Sequence, residues 1–170
     1  MLYLDHAATT PMRPEVWEAM RPFATDLWGN PSGTHVVSRR AKNALESARE
    51  RAADLLGCRP QEIVFTSGGS ESNNLAIRGA AVSLRHRGNH IITSQIEHPA
   101  VLEVCNFLKT KGFEITCLPV DEFGSVNVAD VADAIKKETI LISVMHANNE
   151  VGTVEPIAEI TQLAKKHDIV

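Results

Sequence analysis

Glu62-Ile63-Val64-Phe65-Thr66-Ser67-Gly68-Gly69-Ser70-Glu71-Ser72-Asn73-Asn74-Leu75 decides how the rest of the chain is read. The β-branched and aromatic run Ile63-Val64-Phe65-Thr66 predicts a buried parallel strand. Leu75-Ala76-Ile77 and Ala80-Ala81 predict the apolar face of a helix that follows it. Between the two lie Ser67, Gly68, Gly69 and Ser70. Glycines allow close approach of a ligand, and the first turn of the helix offers free N–H groups, the positive end of its dipole and the Ser70 hydroxyl to an anion. That combination describes a phosphate cup. It is neither the Gly-Lys-Ser/Thr loop of nucleotide hydrolases nor the spaced-glycine fingerprint of dinucleotide folds, and a capped strand-to-helix turn is the competing reading.

A chain of 170 residues with 44% hydrophobic content can bury one substantial core. A net charge of −4 and a pI near 6.0 offer no basic face for nucleic acid. No apolar run approaches the roughly 20 residues that cross a bilayer, and Met1-Leu2-Tyr3-Leu4-Asp5-His6 lacks a signal-peptide pattern, so no membrane partner and a cytoplasmic location are expected. Cys58, Cys105 and Cys117 are scattered without a CxxC pair and are read as small buried hydrophobes.

Residues 1–13, with Asp5-His6-Ala7-Ala8-Thr9-Thr10-Pro11, read as an extended arm. Pro14, Val16, Trp17, Met20 and Phe23 predict a first helix to about residue 25. The loop Trp28 to His35 follows, where Asn30 and His35 either reach a ligand or serve as a turn residue and a solvated imidazole. Ala41, Ala44, Leu45, Ala48, Ala52, Leu55 and Leu56 mark an amphipathic helix from Ser38, stopped by Gly57. After the cup, whose helix is expected to reach about Gly88, strand and helix alternate. Strands are expected at His90–Ser94, Phe113–Leu118 and Thr139–Met145, and helices at Pro99 to about Lys111, Val128–Lys137 and Pro156 to about His167. Asp168-Ile169-Val170 begins another strand. The pattern predicts an α/β fold, a mostly parallel sheet with helices on both faces.

In such a sheet ligands sit outside the strand C-termini. The polar clusters Ser67-Gly68-Gly69-Ser70, Glu97-His98 and His146 with Asn148-Asn149-Glu150 all fall at that edge. His98 is either a helix cap or a flat ring stacked on an aromatic cofactor. Asn149 is either a turn residue or a donor to a phenolate-like oxygen. The 7 histidines show no HxxxH spacing, so no metal site is expected.

Tyr3-Leu4-Asp5-His6-Ala7-Ala8-Thr9-Thr10-Pro11, Gly29-Asn30-Pro31-Ser32, Phe65 to Asn74, Glu97-His98 and Ala147-Asn148-Asn149-Glu150-Val151-Gly152, in that order, resemble the cysteine desulfurases. These are class V, fold-type I pyridoxal-phosphate enzymes, a group that includes the selenocysteine lyases. The resemblance implies that residues 14–170 form the N-terminal part of a fold-type I large domain. It implies that Gly69 and Ser70 hold the phosphate of pyridoxal 5'-phosphate, Ser70 standing where the family usually has threonine. His98 would stack on the pyridine ring and exchange protons with the substrate, as the catalytic residue. Asn149 would contact the ring oxygen. Ala8, Thr9, Asn30 and His35 would lie near the pocket for L-cysteine. A homodimer and a sulfur-acceptor or scaffold protein are the implied partners, and iron-sulfur assembly the implied context.

The family's aspartate at the pyridine nitrogen, Schiff-base lysine, carboxylate-binding arginine and sulfur-receiving cysteine lie beyond the matched motifs. None of Lys42, Lys109, Lys111, Lys136, Lys137, Lys165 and Lys166 is expected in a loop after a strand, so the chain alone is expected to be inactive. Two other readings stand beside this one: a non-catalytic phosphate-binding regulator of a full-length desulfurase, and a nucleotide-binding α/β domain. Unpaired sheet edge and exposed apolar helix faces predict self-association.

Overall fold

The computed structural model describes residues 2–170, which divide into two compact units, up to Phe65 and from Thr66 to Val170. The first unit contains α1 (Pro14–Thr25) and α2 (Val36–Leu56), then a 3-10 turn at Pro60–Glu62. α1 begins where Pro14 supplies a preset φ and carries Pro22 inside. Its Val16, Trp17, Met20 and Phe23 side chains are exposed, as the apolar spacing of an unpartnered face would leave them. α2 ends at Gly57 with φ of 67°, a left-handed cap that glycine adopts without a Cβ penalty.

The strand expected at Ile63–Thr66 is absent. The stretch is extended, with Ile63 at φ −86° and ψ 127°, yet it belongs to no ladder. Arg49 of α2 satisfies it instead: its guanidinium donates to the Ile63 carbonyl and lies 5.0 Å from the Phe65 ring centroid. Val64 and Phe65 stay exposed. A strand needs a neighbouring backbone to pair with, and among the described residues this stretch has no ladder partner.

In the second unit the order is α3 (Gly69–Ser83), β1 (His90–Ser94), α4 (Pro99–Lys109), β2 (Glu114–Leu118), α5 (Val128–Ala134), β3 (Thr139–Ser143) and α6 (Ile157–Lys166). The three strands run parallel in the order β2-β1-β3. β1 is central and buried along its whole length, which is why its apolar run does not alternate. Ile91 points to a core built with Ile77 and Ala81 of α3 and Val101, Val104 and Leu108 of α4. Ile92 points the other way, toward Val131 of α5 and Ile160 of α6. The sheet is therefore covered on both faces, as expected. α3 stops at Ser83, short of Gly88, because the chain must turn back through Leu84–Asn89 to enter β1. At the expected strand Asp168-Ile169-Val170, Asp168 instead takes a turn with φ of 54°, and only Val170 bonds as a strand neighbour would. Val170 N–H donates to Ile140 and its carbonyl accepts from Ile142, the bonding of a parallel neighbour to β3.

Candidate functional site

The chain leaves β1 toward α4 on one face and leaves β3 toward α6 on the other. Loops that part in this way open a crevice at the strand C-termini, the topological switch point of a parallel sheet. A cleft of about 710 Å³ lies there, walled by Gln95–Pro99 after β1, Asp121–Gly124 after β2 and the Asn148–Thr153 region after β3.

His98 and Asn149 both line this cleft, and both are exposed. His98 is also the N-cap of α4. Its Nδ1 accepts from the Ala100 N–H at 3.0 Å, so the neutral ring carries its proton on Nε2. The cap thus fixes the tautomer while leaving the ring available. Asn149 sits beside Asn148, whose Oδ1 accepts from Glu150 N–H (2.8 Å) and Val151 N–H (2.9 Å). Asn148 is consumed by the turn, whereas the Asn149 side chain has no hydrogen-bond partner among the described residues.

Gly69 and Ser70 begin α3 and do not line the cleft. α3 enters the unit with its C-terminal end near the start of β2, where Arg85 donates to the Gly112 carbonyl (3.0 Å) and lies 4.3 Å from the Phe113 ring centroid. Its N-terminal turn therefore points toward the opposite, C-terminal edge of the sheet. The first intrahelical bond is made by Ser72 N–H to the Gly68 carbonyl (3.1 Å), so the N–H groups of Gly69, Ser70 and Glu71 precede the helix ladder. The Glu71 carboxylate accepts from Ser67 N–H and Oγ–H at 2.7 and 2.6 Å, and these bonds hold its pKa below the ordinary value. The Ser70 hydroxyl has no partner among the described residues. Gly68 is extended at φ 164°, and a Cβ on Gly68 or Gly69 would meet nothing within 4 Å, so glycine here answers no need of the fold itself.

The residues expected near the substrate lie in the first unit. Ala8 and Thr9 close a turn on the Asp5 carbonyl at 3.2 and 3.4 Å. Asn30 Oδ1 accepts from Ser32 N–H (2.9 Å), the turn role that competed with ligand binding. His35 is the N-cap of α2 and bonds the Ser38 hydroxyl at 3.1 Å.

Two features escape sequence reading. The wall from Asp121 to Gly124 reads as a plain turn, although its place after a parallel strand is the signal that could have drawn attention to it. Glu97 reads as a polar loop residue but is 6% exposed, and Glu155 is 4% exposed. Burial pushes the Glu97 carboxyl up, and the Glu155 charge adds to this against the opposing Met145 and Ser94 hydrogen bonds.

A family model for aminotransferase class V matches residues 2–170. A cysteine desulfurase of Dictyoglomus turgidum is 56% identical over 168 residues, which are 99% of this chain and 43% of that protein. One from Methanosarcina thermophila is 52% identical, over 99% of this chain and 42% of that protein. A solved structure described as SspA in complex with cysteine superposes with a TM-score of 0.93 at 47% identity, covering 99% of this chain and 49% of that one. The chain thus spans less than half the length of the relatives it matches.

Proposed function

Since the chain belongs to the aminotransferase class V family and matches the N-terminal portion of its cysteine desulfurases, we propose that it builds part of a pyridoxal-phosphate site for L-cysteine desulfuration. One observation carries the reading. The exposed His98 ring and the uncommitted Asn149 side chain share a cleft at the switch point of the sheet.

The residues present fit a planar ring bearing a phosphate. The early N–H groups of α3 and the unpartnered Ser70 hydroxyl suit the phosphate. His98 offers a flat face with its proton held on Nε2. Asn149 can donate to the ring oxygen. Pyridoxal phosphate, when bound, supplies an electron sink for cleavage at the amino acid's carbons. His98 would keep the ring in place and hold a proton at Nε2. Ala8, Thr9, Asn30 and His35 are proposed as substrate-binding residues of the first unit. No lysine or cysteine is among the residues lining the cleft, so the covalent anchor and the sulfur-receiving thiol are assigned to other parts of the site. A homodimer, a sulfur acceptor and a cytoplasmic location complete the proposal. Among the described residues, no helix is long and apolar enough to cross a membrane.

Titrating the 170-residue chain with pyridoxal phosphate, followed by absorbance, should show saturable binding displaced by inorganic phosphate. Ser70→Ala and His98→Ala should each weaken it about tenfold, the worth of one hydrogen bond to a charged group or one aromatic stack. Binding of ATP or a flavin with no response to pyridoxal phosphate would favour the nucleotide-binding reading instead. Sulfide release from L-cysteine by the chain alone, lost in those variants, would overturn the assignment of the anchor elsewhere.

A further inference from the structure

We propose that Glu97 is a positioning residue of the cleft: its buried carboxylate accepts the Met145 N–H and so holds the loop carrying His98 against the loop carrying Asn149. The proposal relies on the reading above only for what the cleft binds.

The need for such a residue follows from the topology. The ladder between β1 and β3 ends at the Thr93 and Ser143 pair, because beyond it the two chains turn to opposite faces of the sheet. Met145 N–H, just past that end, has no backbone acceptor on β1. Glu97 Oε1 takes the acceptor's place across 48 residues of sequence, and the Ser94 hydroxyl donates to the same oxygen at 3.4 Å. Glu97 is covalently next to His98, so the bond sets the point from which α4 and its capping imidazole start. A second tie runs in parallel, from Asn148 Nδ2 to the Ile96 carbonyl at 3.0 Å. Around it, Glu155 N–H donates to the His146 carbonyl (2.9 Å) and Asn148 N–H to the Thr153 carbonyl (2.9 Å), closing the Asn149 loop on itself. Glu155 Oε2 accepts from Val126 N–H at 2.8 Å, two residues past the third wall, and ties that segment to the same framework.

A buried acceptor is what this position requires, and a negative charge is not. Burial disfavours the charge of Glu97, and Glu155 is a like-charged neighbour. Glutamine keeps an acceptor oxygen at the same reach. Aspartate keeps the charge but is one methylene too short. Alanine removes both.

The test compares Glu97→Gln, Glu97→Asp and Glu97→Ala with the parent chain. Without any cofactor, hydrogen exchange of the Met145 amide should quicken about tenfold or more in the Asp and Ala variants and change little in the Gln variant. The His98 ring resonances should move in Asp and Ala and stay in place in Gln. Pyridoxal-phosphate affinity should fall about tenfold in Asp and Ala and remain within about threefold in Gln. Unchanged Met145 exchange and His98 resonances in Glu97→Asp would overturn the proposal, as would a Gln variant no better than Asp. If Glu97→Ala does not fold, the Asp and Gln pair decides. If the parent chain fails to bind pyridoxal phosphate, the proposed function falls, while exchange and ring resonances still judge Glu97.

Discussion

Gly88→Ala should unfold the second unit or destabilise it by about 3 kcal/mol or more, the upper range for forcing a methyl into filled space. Gly88 lies in the turn between α3 and β1. A Cβ built there would be 2.2 Å from the Glu138 carbonyl oxygen, 2.7 Å from its carbon and 2.8 Å from Cα. All three are backbone atoms, so no side chain can swing away. The same carbonyl accepts from His90 N–H at 3.0 Å, the first bond tying the entry of β1 to the residue before β3. Moving Glu138 to admit the methyl would break that bond and shift the register of the central strand. Urea titration monitored by circular dichroism checks this. A midpoint within error of the parent would contradict the close approach.

His90→Ala should cost about 3 kcal/mol, measured in the same way. The imidazole is fully buried on the central strand and bonds a hydroxyl on each neighbour, Thr139 through Nδ1 and Thr116 through Nε2, both at 2.7 Å. Thr139 Oγ1 already accepts from Lys136 N–H (2.7 Å), so its proton is free for Nδ1, and Nε2–H then donates to Thr116. Alanine would remove both bonds, strand the Thr139 hydroxyl in the interior and leave a cavity. The residue also makes stability depend on pH. Burial, and then the Lys136 charge, lower its pKa from 6.5, with Glu114 and Glu138 opposing more weakly. A group whose folded pKa is depressed contributes stability that is complete above its unfolded value and is lost as pH falls through the folded one. The parent chain should therefore lose this contribution below about pH 6.5. A flatter profile between pH 8 and 5 in a variant lacking the imidazole would match, and identical profiles would argue against it.

Much of the architecture is legible in local pattern. Where strand and helix periodicity alternated, the expected elements appeared within a few residues: β1 spans His90–Ser94 as read, and α4 begins at Pro99 as read. The loops holding His98 and Asn149 were placed at the strand C-termini from sequence order alone, and they border one cleft. Ile63–Thr66 went otherwise because β-branched composition records a preference for a ladder, while pairing depends on which backbone is alongside. α3 ended early because Leu84 to Asn89 had to reverse direction, a demand set by the distance to β1 rather than by helix propensity. The burial of Glu97 had no local signature, since a carboxylate beside a histidine reads as a polar turn.

The amino-acid order alone was enough for the α/β class, the succession of elements from α3 onward, the family resemblance and the candidates Gly69, Ser70, His98 and Asn149. These rest on periodicity, caps and motif spacing, which act over one or two turns of chain. The tertiary structure alone decided that β3 lies on the far side of β1 from β2, that the loops after β1 and β3 therefore part to form a cleft, and that Glu97 bridges them. Strand order and the partner of a buried carboxylate arise from contacts between segments tens of residues apart, where local preference has no reach.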